Sequence, residues 1–171
     1  IFSVVFTLFV PIDTGAVPYP VFSYVAVVPW TLLATSLPDM TDSLVSNMGL
    51  ITKIYFPREI LPISAMLARV LDFVVAFGLL VVLMIIFRVP FYLAGWVFLP
   101  FLLMIQLMLI VGLGLACAAL NIFFRDVRSL VALGLQLWFY ASPIIYPVSM
   151  VPPKLLPLYF LNPMAGLLEG Y

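Results

Sequence analysis

Between Arg88 and Arg125 the chain carries no charged side chain, and this uncharged stretch constrains the fold more than any other feature. As one α-helix, residues 91–124 would be roughly 50 Å long, since each helical residue adds about 1.5 Å. The whole chain is 66% apolar and only 8% charged, whereas roughly a quarter of an ordinary globular chain is charged. Lipid must therefore solvate most of its surface. This composition predicts an all-α, polytopic transmembrane helical bundle.

The same composition excludes several kinds of site. Seven acidic and seven basic residues cancel, so no basic surface indicates binding to nucleic acid. The chain has no histidine, and its single cysteine, Cys117, lies in an apolar run, which excludes a disulfide framework and argues against structural zinc. It also lacks a phosphate-binding Gly-x-x-x-x-Gly-Lys-Ser/Thr loop and clustered carboxylates. We therefore expect no catalytic residues, no metal and no cofactor bound by this chain.

Charged and turn-forming residues divide the chain into candidate membrane spans. We place them at residues 1–10, 20–37, 70–87, 97–120 and 129–146. In the third, the apolar residues favour insertion by roughly 4 to 7 kcal/mol, and Arg69, Asp72 and Arg88 lie at the ends, where long side chains can reach the headgroups. Because the chain opens at Ile1 inside an apolar stretch and stops at Tyr171, we interpret it as a fragment of a longer protein.

The distribution of Lys and Arg over the short loops predicts the orientation. Arg88 and Lys154 lie on one predicted side. The opposite side holds Lys53, Arg58, Arg69, Arg125 and Arg128. We therefore predict that the loop between the second and third spans and the turn between the fourth and fifth are cytoplasmic. Residues 11–19 and 147–163 are then external.

The cytoplasmic loop contains the most informative segment, residues 47–62. It is short and amphipathic, and it follows the polar, turn-forming stretches 38–39 and 41–43. Its central residues are Lys53, Ile54, Tyr55, Phe56, Pro57, Arg58 and Glu59. Consecutive apolar residues with a charged rim are typical of an element that docks on a partner protein. The alternative is an interfacial helix that Tyr55 and Lys53 anchor among the headgroups.

This segment and four other stretches together resemble the permeases of ABC exporters for polysaccharides, the O-antigen and teichoic-acid group. The stretches are Val45–Pro62 (VSNMGLITKIYFPREILP), Pro18–Phe22 with Pro29-Trp30, Asn121–Val127 (NIFFRDV), Gln136–Pro147 (QLWFYASPIIYP) and Leu161–Gly170 (LNPMAGLLEG). They occur in the order typical of that family, and the resemblance covers nearly the whole chain.

The resemblance implies a single permease domain over residues 1–171, with about five of six expected spans present. It implies that residues 47–62 are the coupling element, docking on a separate ATPase subunit that binds ATP and Mg²⁺. It further implies external re-entrant gate helices at about 147–170 and two permease copies around a central path.

The implied function is export of a lipid-linked polysaccharide of the O-antigen, capsular or teichoic-acid type across the bacterial cytoplasmic membrane. The resemblance therefore implies a transport subunit rather than an enzyme. The alternatives are an exporter permease for a drug or lipid, and a non-transport membrane subunit or membrane-bound transferase.

Two groups of polar residues at the cytoplasmic side remain open to interpretation. The turn with Arg125, Asp126 and Arg128 either anchors two spans at the headgroups or contacts the ATPase or the cytoplasmic entrance, where a cation would meet a pyrophosphate-linked glycan. Arg69 and Asp72 lie three residues apart on one helical face and can form an ion pair.

Within the spans, small residues predict close helix packing. Gly112 with Ala116, and Gly114 with Ala118, have the small-xxx-small spacing that lets another helix approach.

Aromatic and amide side chains are the candidates for a substrate path. They are Trp30, Gln106, Gln136, Trp138, Tyr140 and Tyr146. Aromatic faces can stack on sugar rings, but Trp and Tyr also form belts at membrane interfaces, so both interpretations stand. Gln106 and Gln136 lie within predicted spans and should face another helix or a wet path rather than lipid.

Overall fold

A computed structural model describes residues 19–51, 57–89, 93–142, 144 and 161–171. The elements in these ranges are all helices: α1 Tyr19–Ser46, α2 Met48–Ile51, α3 Ile60–Ile86, α4 Leu93–Phe123, α5 Val127–Tyr140 and α6 Pro163–Gly170. Three of them, α1, α3 and α4, are long and apolar enough to cross a membrane, and α5 is a shorter apolar helix. The predicted polytopic helical bundle is confirmed. The predicted first span, residues 1–10, lies outside the described residues.

Helix α1 is longer than the sequence predicted. We expected the second span to end at residue 37 and turns to follow at 38–39 and 41–43, and this was wrong, because the helix continues through Pro38 to Ser46. Two of the polar side chains that suggested turns bond back to their own helix. The Thr41 hydroxyl donates to Leu37 O at 2.6 Å, and the Ser43 hydroxyl donates to Met40 O at 2.7 Å. A proline removes only one backbone hydrogen bond, and packing on several sides keeps the helix intact.

Helices α3 and α4 also extend beyond their predicted spans. Helix α3 begins at Ile60, ten residues before the predicted start, so the end of the predicted coupling element is already helical. Helix α4 is one continuous helix of 31 residues, about 46 Å long. The hydrocarbon core is only about 30 Å thick, so such a helix must tilt or project into the headgroups. The predicted span, 97–120, was limited by the thickness of the hydrocarbon core, whereas the helix itself extends beyond that span at both ends.

Helix α5 is shorter than the predicted fifth span. It has 14 residues and ends at Tyr140, about 21 Å in all, which is less than the hydrocarbon thickness. The carbonyl of Ala141, at the C-cap, accepts a hydrogen bond from Asn162 Nδ2 at 3.2 Å. A side chain from the region before α6 therefore satisfies the end of α5.

The core of the bundle is built around α1, which packs against α3, α4, α5 and α6. Half of its most apolar window is buried, against 11% for α3. Leu33 and Met40 of α1, Ile110 of α4 and Met164 of α6 are fully buried. The outer faces of α3 and α4 expose large apolar side chains, as expected of helices whose solvent is lipid.

Helix α3 ends in a left-handed residue that is not glycine. Arg88 has φ 53°, and Val89 N donates to Met84 O at 3.0 Å while Arg88 N donates to Ile85 O at 3.2 Å. These two bonds form a Schellman motif, in which glycine usually occupies the left-handed position.

We expect Arg88→Gly to be more stable than Arg88→Ala by about 1 kcal/mol. Both changes remove the charge, but only glycine adopts a positive φ without a steric cost from Cβ. Unfolding of the detergent-solubilised protein measures the difference. Equal stability of the two variants would contradict the strain at this position.

Candidate functional site

The two segments predicted to be cytoplasmic lie at the same end of the bundle. Asn121, near the end of α4, donates from Nδ2 to Thr41 O at 3.0 Å. Arg128, in the first turn of α5, lies 3.4 Å from Asp42 Oδ2. The C-terminal end of α1 therefore contacts both helices that flank the turn at 124–126. We call this the charged end of the bundle.

Arg69 forms an ion-pair triad at the charged end. The predicted pair with Asp72 is present, with Nη1 of Arg69 2.8 Å from Asp72 Oδ2. Arg69 also donates from Nε to Asp39 Oδ2 at 2.5 Å. Asp39 was predicted to form a turn, so this second partner of Arg69 was not predicted. The triad joins the end of α1 to the beginning of α3.

The predicted coupling element is only partly described. Lys53, Ile54, Tyr55 and Phe56 lie outside the described residues, whereas Pro57, Arg58 and Glu59 are described and exposed. A groove of about 350 Å³ lies between the end of α1 and the start of α3, where this element leaves and re-enters the bundle. Its lining is mostly polar: Asp39, Asp42, Ser43, Ser46, Asn47, Leu61, Ser64 and Ala65.

The Arg125–Arg128 turn is exposed to the surroundings of the bundle. Arg125, Asp126 and Arg128 are all exposed. Asp126 immediately precedes α5, where a carboxylate interacts favourably with the positive end of the helix dipole. Arg128 contacts Asp42 on α1 rather than the neighbouring Asp126. Arg128 therefore makes an interhelical contact.

The structure brings two of the candidate aromatic residues together. Trp30 is buried, and its ring centroid lies 6.2 Å from that of Trp138, in an edge-to-face arrangement. Trp138 Nε1 donates to Asn162 Oδ1 at 2.7 Å. Tyr140 is exposed at the end of α5, and Tyr146 lies outside the described residues. Trp30 and Trp138 therefore pack against each other between helices, whereas the ring of Tyr140 is exposed.

The two amides predicted to lie within spans have different environments. Gln106 is fully buried, donates from Nε2 to Pro29 O at 2.6 Å and accepts from the Tyr171 hydroxyl at 3.0 Å. It faces other helices, as expected of a polar residue in a span. Gln136 is exposed on α5.

Of the two small-residue pairs on α4, one packs within the bundle. Gly114 and Ala118 are buried, and Gly114 lies against the side chain of Met40 on α1. Gly112 and Ala116 are exposed, and a Cβ at Gly112 would meet no atom within 4 Å.

Asn162 belongs to the Leu161–Gly170 motif, but no structural role was predicted for it. Its Oδ1 accepts from Trp138 Nε1 and from Met164 N, and its Nδ2 donates to Ala141 O and to Ser142 Oγ. It is the N-cap of α6, with proline at the next position. Asn-Pro before an apolar run is a recognisable helix start, so the sequence carried a signal for the cap.

Comparison with known proteins agrees with the sequence motifs. The chain is 30% identical over 154 residues to the O-antigen export system permease protein RfbA of Klebsiella pneumoniae. It is 31% identical over 160 residues to the protein of the same name from Myxococcus xanthus. Each alignment covers 90% of this chain and 59% of the relative, so the chain spans about three fifths of the relatives' length. No protein-family model matches the chain. The resemblance drawn from the motifs is confirmed.

Proposed function

We propose that this chain, which is similar to permease proteins of O-antigen export systems, acts as the permease subunit of an ABC exporter. It would lie in the bacterial cytoplasmic membrane with a second permease copy and move a lipid-linked polysaccharide outward. ATP and Mg²⁺ would be bound by a separate ATPase subunit.

The observation that carries this proposal is the position of residues 47–62. They connect two helices long enough to span a membrane, α1 and α3, at the charged end of the bundle. Pro57, Arg58 and Glu59 are exposed there. A peripheral motor needs such a polar, accessible element that is continuous with spanning helices.

The arrangement around α1 supports a mechanical role for the coupling element. Because α1 packs against α3, α4, α5 and α6, a displacement of its charged end would reach every other long helix. Packed helices move as rigid bodies rather than deforming continuously. ATP-driven rocking of α1 and α3 would therefore change the relative position of α4 and α5.

The exposed residues of α5 are the better candidates for contact with a glycan. Gln136 and Tyr140 are exposed, so their side chains are accessible to a sugar. Trp30 and Gln106 are buried and occupied by contacts with protein groups. A polymer that slides past Tyr140 would stack weakly on its ring, as suits a mobile cargo.

We expect the double variant Tyr55→Ala/Phe56→Ala to uncouple export. Loss of aromatic anchors at the centre of a docking surface costs about 2 kcal/mol or more, roughly a thirtyfold loss of affinity for the ATPase. The measurements are co-purification of the ATPase with the full-length permease and the glycan on the cell surface, labelled by periodate oxidation and a fluorescent hydrazide. Both should fall.

The matched control is Phe98→Ala/Phe101→Ala, which removes two exposed aromatic residues from α4 at a distance from the charged end of the bundle. It should leave ATPase yield and surface glycan near the unmodified level. Normal co-purification and normal export by the Tyr55/Phe56 variant would refute the docking role. Normal surface glycan in cells lacking the permease would refute the proposed cargo.

A further inference from the structure

We propose that Asp39 and Arg69 are positioning residues that hold the two helices flanking the coupling element at a set separation, so that motion of this element reaches the bundle. This inference rests on the proposed function. It adds a role for two charged side chains that the motif comparison leaves unassigned.

The ion pair between Asp39 and Arg69 joins the two helices that flank the coupling element. Asp39 lies on α1, seven residues before the helix ends at Ser46, and Arg69 lies on α3, nine residues after it begins at Ile60. The Nε–Oδ2 contact of 2.5 Å joins residues 30 positions apart in the chain. The segment between them contains the whole coupling element, so the ion pair closes a loop around it. A displacement of the coupling element is transmitted to both α1 and α3 only while the ion pair joins these two helices.

Asp39 and Arg69 are only partly buried. Their side chains are 40% and 38% exposed, and ion pairs with that much exposure add little to stability. Stability alone is therefore a weak reason for this pair, whereas a guanidinium has several donors and can join Asp39 of α1 while it also holds Asp72 of α3.

A neighbouring ion pair extends the connection from α1 to α5. Asp42 lies three residues after Asp39 on α1 and contacts Arg128 of α5. Asp39 and Asp42 thus connect the same end of α1 to α3 and to α5, respectively. A displacement delivered through α3 would pass through Arg69 to α1 and onward to α5. Asp72, by contrast, pairs with Arg69 within α3, the helix on which both residues lie.

The difference between Asp39 and Asp72 provides the test. In the full-length permease co-expressed with its ATPase, we expect Asp39→Arg and Arg69→Asp each to lower periodate-labelled surface glycan at least about fivefold, the lower end of typical coupling between sites. ATPase co-purification and phosphate release by the purified complex in lipid nanodiscs should stay within about twofold. The double swap Asp39→Arg/Arg69→Asp restores an interhelical pair and should recover most of the export.

Asp72→Asn is the matched control, because it removes the partner on the same helix and leaves the contact between α1 and α3. It should export normally. Where charge reversal prevents assembly, the isosteric variants Asp39→Asn and Asp72→Asn are compared in the same assays. A loss confined to Asp39→Asn supports the inference, whereas equal effects of the two overturn it.

Two further outcomes separate this inference from the proposed function. Normal export by both single reversals, or no recovery in the double swap, overturns the positioning role while ATPase co-purification still supports the permease. Absence of any co-purifying ATPase with the unmodified protein overturns the proposed function itself.

Discussion

Replacing Gly114 with leucine is expected to destabilise the bundle by about 3 kcal/mol, the upper range for overpacking a close contact. A Cβ at this position would overlap the thioether of Met40 and would lie 3.1 Å from Met40 Cβ. Rotating the end of the methionine side chain cannot relieve the contact with Cβ, since that atom is fixed to the α1 backbone. Met40 is itself fully buried. Helices α1 and α4 must therefore separate.

The control for this prediction lies two residues away on the same helix. Gly112→Leu adds the same atoms and the same gain in helix propensity, but a Cβ there meets nothing within 4 Å. Reversible unfolding in mixed detergent micelles should show a large loss for Gly114→Leu and none for Gly112→Leu. Equal stability of the two variants would mean that α1 and α4 do not approach each other at Gly114.

Replacing Gln106 with leucine is expected to cost about 2 kcal/mol. The change leaves two polar groups, Pro29 O and the Tyr171 hydroxyl, without their buried partner. An unsatisfied buried group costs about 1 to 3 kcal/mol in proteins, and interhelical hydrogen bonds in membranes contribute toward the lower end of that range. The measurement is again the free energy of unfolding in mixed micelles.

A double-mutant cycle separates the two bonds of Gln106. Tyr171→Phe removes the hydroxyl, so the combined variant Gln106→Leu/Tyr171→Phe should lose less stability than the sum of the single changes. Gln136→Leu is the matched control, because this amide is exposed on α5. A loss for Gln136→Leu as large as that for Gln106→Leu would contradict a specific role for the buried network.

The sequence was most informative about which segments enter the membrane and least informative about where helices end. Pro38 and Asp39 resemble a turn when only neighbouring residues are considered. Asp39 is acceptable inside a helix because it meets Arg69, a residue 30 positions away. No local pattern contains that partner. For the same reason, the end of α5 depends on Asn162, which follows it by more than twenty residues.

The candidate sites divide in a similar way. The motifs indicated the coupling element, and the described part of it is exposed at the charged end of the bundle. The aromatic and amide residues formed a single set in the sequence, because residue type alone suggested contact with sugar. Packing divides them into buried contacts at Trp30 and Gln106 and exposed side chains at Gln136 and Tyr140. Burial depends on which helices meet, so residue type could not separate these two groups.

By itself, the sequence determined that this protein is a helical membrane bundle. Long uncharged apolar stretches are stable in lipid, and in lipid a helix satisfies the hydrogen bonds of its own backbone. It also placed the charges at the ends of the spans. Only the tertiary structure decided which charges meet, which of two equivalent glycine positions touches a neighbouring helix, and that α1 lies at the centre. These features depend on contacts between residues far apart in the chain, and their free energies arise only once the helices pack.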